Sequence, residues 1–354
     1  MRLTRRLTDS DDDRAAMVRF LLRRTVHAIV LIWIISMVVF GLFFLAPGDV
    51  ARRMAGRQAT PETVALIRHR LGLDQPIWQQ YGNFVWRVLH GDLGYDYYHQ
   101  IPVSQIIIDA LPKTLSLVLG AAVLWMALGL FNGIVSARRP RSLTDRSLTL
   151  FSLIFYSMPE FLLGLLLLYF AYYRLTLAGA AWFPAGGYVP LSQDPLAWAQ
   201  SLVLPWLTLA LLEAAAYTRL TRSSLLDVLG EDYIRTARAK GLSERRVVHR
   251  HGLRSALTPI VTRFGVDLGT LLGGVVVVEL VFSIDGLGWE ALIALNNQDL
   301  PVIVGIVLFG TLAVVIANLV VDVLYAVLDP RIRLAERRDA RPRSVSVQPS
   351  RPQR

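Results

Sequence analysis

Six stretches of about 20 residues or more carry few charges, and they constrain this chain more than any other feature. They are 26–46, 114–137, 147–173, 201–217, 264–284 and 300–328. A segment of that length and polarity crosses a hydrocarbon layer as a helix. Only a helix satisfies every backbone N–H and C=O within one segment there. The expected fold is therefore an all-α membrane protein with six transmembrane helices. The first run is longer than the apolar part of a secretory signal, and no Ala-x-Ala pattern follows it. It reads as a span, not as a removable leader.

The charges assign sides. The net charge is +10, and lysine accounts only for Lys113 and Lys240 among the 37 basic residues. The arginines gather beside the apolar runs: in the tail 1–25, in 138–146, in 219–254 and in the tail 329–354. By contrast, 174–200 holds Arg174 alone, and 285–299 holds no basic residue. Threaded through six helices, these four segments all fall on one side, which the positive-inside rule makes cytoplasmic; the stretch 47–113, with seven Lys/Arg, falls on the other side and is too long for the rule to weigh. Both termini are then expected to be cytoplasmic. Charge placed this way serves topology, so nucleic acid is not an expected partner, whereas membrane lipid is. There is no cysteine, hence no disulfide and no thiolate site.

The first two spans are separated by 47–113, which lacks a spanning run. Thr60-Pro61-Glu62 has the cap, proline and acid of a helix start, and Gly72 is its stop. Asp74 and Pro76 open a second helix, in which Ile77, Tyr81, Phe84, Val85 and Val88 recur at helical spacing. A small folded helical insert outside the bilayer is expected. The remainder, 114–328, forms the transmembrane core, with the polar loop 219–259 inside it and a solvated tail, 329–354, after it.

That loop holds the most distinctive pattern. In 232–259, Asp232 is placed to cap a short helix, Gly241 to end it in the left-handed conformation, and Ser243 to cap a second helix with Glu244 in its first turn. The sequence Asp232-Tyr233-Ile234-Arg235-Thr236-Ala237-Arg238-Ala239-Lys240-Gly241-Leu242 resembles the EAA loop of permease subunits of ABC importers, in the form of the dipeptide/oligopeptide/nickel branch. Leu71-Gly72-Leu73-Asp74-Gln75-Pro76, Gly91-Asp92-Leu93-Gly94, Arg219-Leu220-Thr221-Arg222-Ser223-Ser224, Gly286-Leu287-Gly288 and Asp329-Pro330-Arg331 are similar to the same branch, as is Leu45-Ala46-Pro47-Gly48-Asp49. Asp285, where proline is commoner, and Glu213 depart from it.

The resemblance implies a first permease of a pair, working with a second homologous permease, two ATPase subunits and an extracytoplasmic substrate-binding protein. ATP and Mg would be bound by the ATPase partners and no cofactor by this chain. Asp232, Tyr233, Arg235, Thr236, Ala237, Arg238, Lys240, Gly241 and Leu242 would form the ATPase-coupling element, a rigid unit docked on a cytoplasmic motor. The cargo implied is peptide, with nickel chelates and other small solutes sharing the scaffold.

Glu213, Asp267 and Glu279, with Glu160 and Asp322, lie in or beside spans, where carboxylates face a cavity or a partner. They are candidates for the pathway wall; pairing with Arg219 or a helix end is the structural alternative. Gly265, Gly269 and Gly273 form a small-residue stripe that permits close helix packing, either within the chain or against a second permease. Pro159 and Pro205 are expected kinks, and Pro259 an opening of the fifth span. The six histidines show no metal spacing, and no phosphate-cradling Gly-x4-Gly-Lys-Ser/Thr occurs, so no metal and no catalytic residue is expected. Two rivals define what would overturn this reading. A secondary transporter would use Glu213 and Glu279 for ion coupling, and an intramembrane enzyme would need a nucleophile–base pair.

Overall fold

The computed structural model describes residues 22–41, 51–52, 59–70, 72–273 and 275–328. The expected terminal tails fall almost wholly outside the described residues, as do Leu45-Ala46-Pro47-Gly48-Asp49 and Asp329-Pro330-Arg331. Among the described residues no strand forms, and one isolated bridge joins Tyr95 to Pro102.

Helix α1 is Leu22–Gly41. The insert follows with α2, Pro61–Arg70, and α3, Ile77–Leu89. The core contains α4, Val103–Arg138; α5, Leu143–Tyr156; α6, Glu160–Leu177, which widens to a π-helix over Leu168–Arg174; and α7, Pro195–Leu229. Then come α8, Asp232–Ala239; α9, Leu253–Leu272; α10, Val276–Val281; α11, Leu287–Asn297; and α12, Leu300–Leu328. Five of these, α1, α4, α6, α7 and α12, are long and apolar enough to cross a membrane.

Three boundaries differ from the hydropathy reading, each for a local reason. The stretch 147–173 is divided: Pro159 takes an extended conformation as the cap residue before Glu160, so α5 ends and α6 begins there. Pro112, Pro205 and Pro259, by contrast, sit inside continuous helices. The stretch 264–284 is also divided, between α9 and α10: Gly273 is the residue that ends α9, and Val275, at φ −101° and ψ 63°, is the non-helical residue before α10. Finally, α4 and α7 begin well before their apolar runs. Asp194 caps α7, accepting from the Leu196 and Ala197 amides at 2.8 and 3.1 Å, with Pro195 at the first helical position.

The main core lies between α4 and α7. Leu117, Trp125, Leu202 and Tyr217 are fully buried there. The helices touch at glycine: a Cβ at Gly129 would lie 2.4 Å from the Tyr217 Cβ, and one at Gly133 2.4 Å from the Thr221 Cβ. Gly129-x-x-x-Gly133 thus faces Tyr217 and Thr221, themselves one turn apart, along one seam. Trp206 adds a hydrogen bond from its ring N–H to the Ser116 carbonyl at 2.9 Å. A second core joins Val103 and Ile107 of α4 to Leu287 and Ala294 of α11 and Val302 and Ile306 of α12.

The stripe Gly265, Gly269 and Gly273 packs within the chain. A Cβ at Gly269 would meet Ala317 at 2.8 Å, and Gly273 lies against Gly310 of α12. Gly265 borders an apolar cavity of about 430 Å³ between α4, α9 and α12, lined by Leu111, Leu115, Leu268, Phe309 and Ile316.

Candidate functional site

The polar stretch beginning at Asp232 folds as a compact bracket between α7 and α9. Gly230 and Glu231 alone separate α7 from α8. Glu231, not Asp232, is the residue before the helix, and Asp232 stands in its first turn, favourable to the helix dipole. Ile234 and Ala237, three apart, are buried against Val247, Val228 and Leu229. The rest of α8 is exposed: Asp232, Tyr233, Arg235, Thr236 and Arg238 all face outward, as do Lys240 and Gly241 beyond its end. A short amphipathic helix therefore rests its apolar edge on the ends of its neighbours and presents a mixed, mainly basic face.

The turn after α8 depends on Gly241. It adopts φ +75°, and its N–H and that of Leu242 bond back to the Arg238 and Ala237 carbonyls at 2.9 and 3.4 Å. The Arg238 guanidinium then reaches Glu244 with two hydrogen bonds, of 3.1 and 2.8 Å. This bidentate pair holds the Glu244 carboxyl below its usual value. Ser243 occupies the cap position without a side-chain capping bond. No separate second helix forms. A helical turn, Glu244–Arg246, runs through a π-helical segment, Val247–Gly252, directly into α9. Both ends of the bracket are thus joined to long helices with almost no slack.

A buried ion pair braces the same end of the molecule. Asp145 is 3% exposed, and it receives the Arg222 guanidinium at 2.7 and 2.9 Å, the Ser136 hydroxyl, and the Arg141 amide at 2.8 Å. Arg222, first among these, holds the Asp145 carboxyl well below the usual carboxylate range. The pair clamps the α4–α5 turn onto α7, two turns before α8. Nothing in the sequence spacing announced it, since the partners are 77 residues apart.

The membrane-embedded carboxylates separate by environment. Asp267 accepts from the Tyr217 hydroxyl at 2.9 Å and from Arg263, one turn earlier, at 3.0 Å. Glu213, one turn before Tyr217 on α7, is partly exposed and within electrostatic reach of Asp267, Arg263 and Glu160. Those four charged residues share one face. Arg219 does not pair with them; its guanidinium lies 4.3 Å from the centre of the Tyr156 ring. Glu279 is fully buried at 0% exposed. The Thr114 hydroxyl donates to it at 2.6 Å, and the Trp289 amide at 2.8 Å, in the first turn of α11. It works as a helix cap that ties α10, α11 and α4 together. Asp322 lies among residues whose side chains are not described.

At the opposite end, Asp96 of the insert and Asp299, just before α12, meet as a buried carboxyl pair, 6% and 2% exposed. Asp299 accepts from the Tyr97 amide at 2.8 Å, and Asp96 from the Tyr98 amide at 2.8 Å and from the His99 ring. Burial, then donation to Asp96, pushes Asp299 up to about 7. Burial would raise Asp96 too, but its hydrogen bonds with Asp299, Tyr98 and His99 bring it down to about 2. Asp299 is thus the member of the pair favoured to keep its proton, and Asp96 the one favoured to lose it. Among the described residues, no group of histidines and carboxylates could hold a metal ion.

Comparison with known proteins gives two family matches that together cover most of the chain. Residues 129–334 match the family described as "Binding-protein-dependent transport system inner membrane component". Residues 17–118 match the one described as "Binding-prot-dependent transport system membrane comp, N-term". A peptide transport system permease protein of Brucella abortus is 41% identical over 317 residues, which is 90% of this chain and 99% of that one. The dipeptide transport system permease protein of Escherichia coli K12 is 38% identical over 341 residues, again 90% of this chain and 99% of that one. Among solved structures, an inward-facing conformation of the MetNI methionine ABC transporter matches with a TM-score of 0.50 at 19% identity, covering 64% of this chain and 97% of that chain. That last likeness concerns the fold alone.

Proposed function

This chain belongs to the family of binding-protein-dependent transport system inner membrane components, and from that premise we propose that it forms half of the translocation pathway of an ATP-driven peptide importer. It is the membrane component of such a system; ATP hydrolysis belongs to a separate subunit. The peptide cargo is argued from the relatives, which are named as peptide and dipeptide permeases over nearly their whole length. In this reading the other half of the pathway is a second homologous permease, two ATPase subunits bind ATP and Mg, and an extracytoplasmic binding protein selects the solute. Both termini are cytoplasmic.

The observation that carries the reading is α8, an exposed amphipathic helix seated on the ends of α7 and α9 with almost no slack on either side. Arg235 and Lys240 are placed to meet carboxylates in a groove of an ATPase, while Arg238 is held by Glu244 and stiffens the turn. The stroke then enters the bilayer through two helices at once. Glu213 and Asp267, with Arg263 and Glu160, form a charged wall that suits a zwitterionic solute, for such groups face a cavity in preference to lipid. Glu279 positions helices instead of lining that wall. The stretch 264–284, although broken at Gly273, supplies the fifth of the six membrane segments together with the start of α9.

The test is co-purification with the ATPase subunits plus uptake in membrane vesicles. Ala237→Glu drives a charge into the contact with Val247, and Gly241→Asp puts a side chain on a left-handed backbone at a cost of about 1–2 kcal/mol. Both are expected to abolish ATPase capture and uptake while the permease still inserts. Normal assembly and transport in both variants would end the proposal.

A further inference from the structure

Helix α3 has no buried residue, although most of its circumference is apolar. Ile77, Trp78, Trp86 and Leu89 are 61–75% exposed. The position of this helix is set by α1. The Tyr81 hydroxyl lies 2.8 Å from the Ser36 hydroxyl, and the Phe40 ring centre is 5.2 and 5.5 Å from those of Tyr81 and Phe84. Ser36 precedes Gly41 by more than one helical turn, about 8 Å back along the axis at 1.5 Å per residue. The contact is therefore with the wall of a membrane-crossing helix and not with its tip.

Successive helical residues turn by about 100°, which sorts the surface of α3 into three faces. Tyr81 and Phe84 meet α1. Trp78 and Leu89, only about 20° apart in direction, continue that apolar surface around the helix and stand 71% and 75% exposed, whereas Trp86, beside the direction of Gln79, lies against the His90 ring at 4.2 Å. Gln80 and Asn83 point the other way and bond back to the preceding loop: Gln80 to the Leu73 and Gln75 carbonyls at 3.2 and 2.7 Å, Asn83 to the Gln75 side chain at 3.0 Å. Gln79 and Arg87 share that polar side.

We propose that α3 lies in the interfacial layer of the bilayer, with Trp78 and Leu89 set into phospholipid beside α1. The depth fixed by Ser36 and Phe40 chooses the occupant: a face held at that level next to a lipid-exposed helix is reached by acyl chains before any soluble protein. The chemistry agrees. Tryptophan favours the boundary between headgroup and hydrocarbon, and an amphipathic helix with a cation on its polar side binds there. On this proposal α3 is the part of the 47–113 insert that touches the membrane surface. This inference needs only that α1 crosses a bilayer and is independent of the cargo and of the ATPase contact.

The absence of cysteine makes the experiment direct. Trp78→Cys, Leu89→Cys and Gln79→Cys are introduced singly into the full chain, assembled with its partner subunits in membranes. Each is reacted with a membrane-impermeant maleimide, and labelling of this chain is normalised to its labelling after solubilisation and denaturation. Labelling at 78 and 89 is expected to be about tenfold slower than at 79. Nitroxides at 78 and 89 should collide with oxygen and not with a soluble nickel chelate. Ile77→Cys, on the apolar side and 61% exposed, provides the same reading if a first variant fails to accumulate. Equal labelling at 78, 79 and 89 would overturn the proposal. So would protection that appears only when a soluble substrate receptor is added, which would make the face a protein-docking surface.

Discussion

Two carboxylate sites show how much a single residue decides here. Asp145 has its folded pKa depressed by Arg222, so its contribution to stability is present above the unfolded value of about 3.9 and disappears as pH falls below it. Asp145→Asn leaves Arg222 with a neutral partner. A loss of about 2 kcal/mol is expected, read as a lowered unfolding midpoint in detergent at pH 7, and the difference from wild type should shrink toward pH 3. Asp299 has the opposite sign. Its folded pKa of about 7 lies above the unfolded value, so the folded protein binds the extra proton, and stability falls as pH rises from about 4 through 7. Asp299→Asn can still donate to Asp96 and carries no titrating proton, so it should flatten that fall. Unfolding midpoints at pH 5 and pH 8 measure it; an unchanged slope would refute the proton held by Asp299.

At the scale of elements, the glycine seam between α4 and α7 makes the sharpest prediction. Gly129→Val places a branched side chain where the Tyr217 Cβ already lies 2.4 Å from a Cβ. The α4–α7 seam must open, at a cost of about 1–3 kcal/mol or more, and the stable yield of protein in membranes should drop sharply. Gly82→Val on α3, where a Cβ meets nothing within 4 Å, is the control. This seam also shows what sequence could and could not disclose. Hydropathy marked where apolar chain lies, because the cost of polar backbone in lipid is written into composition. It did not mark where helices begin, since α4 and α7 continue into water under rules of capping, not of polarity. Nor could it rank glycine stripes: Gly265, Gly269 and Gly273 were conspicuous, but Gly129 and Gly133 make the tighter approach, and only the facing residues Tyr217 and Thr221 reveal that. The bracket at α8 was legible as helix, glycine and basic face. Its lack of slack was not, because the π-helical run Val247–Gly252 has no compositional mark. Glu279 attracted notice as a buried charge, while its role as a cap depended on Thr114, 165 residues away.

For the whole molecule, the importer reading and its rival part over energy source. Uptake of radiolabelled dipeptide by vesicles carrying the assembled system should continue after the proton gradient is collapsed and stop when ATP is removed; the reverse would favour an ion-coupled carrier built on Glu213. The length of α7 carries a further consequence. Its 35 residues span roughly 52 Å, against about 30 Å of hydrocarbon, so about 20 Å of it stands in water or headgroups. The ATP-consuming neighbour can then grip α8 without brushing the lipid surface. A tilt of only about 5° would swing the far end of such a rod by roughly 5 Å, so small rotations inside the bilayer and large excursions beneath it become the same movement, geared by length.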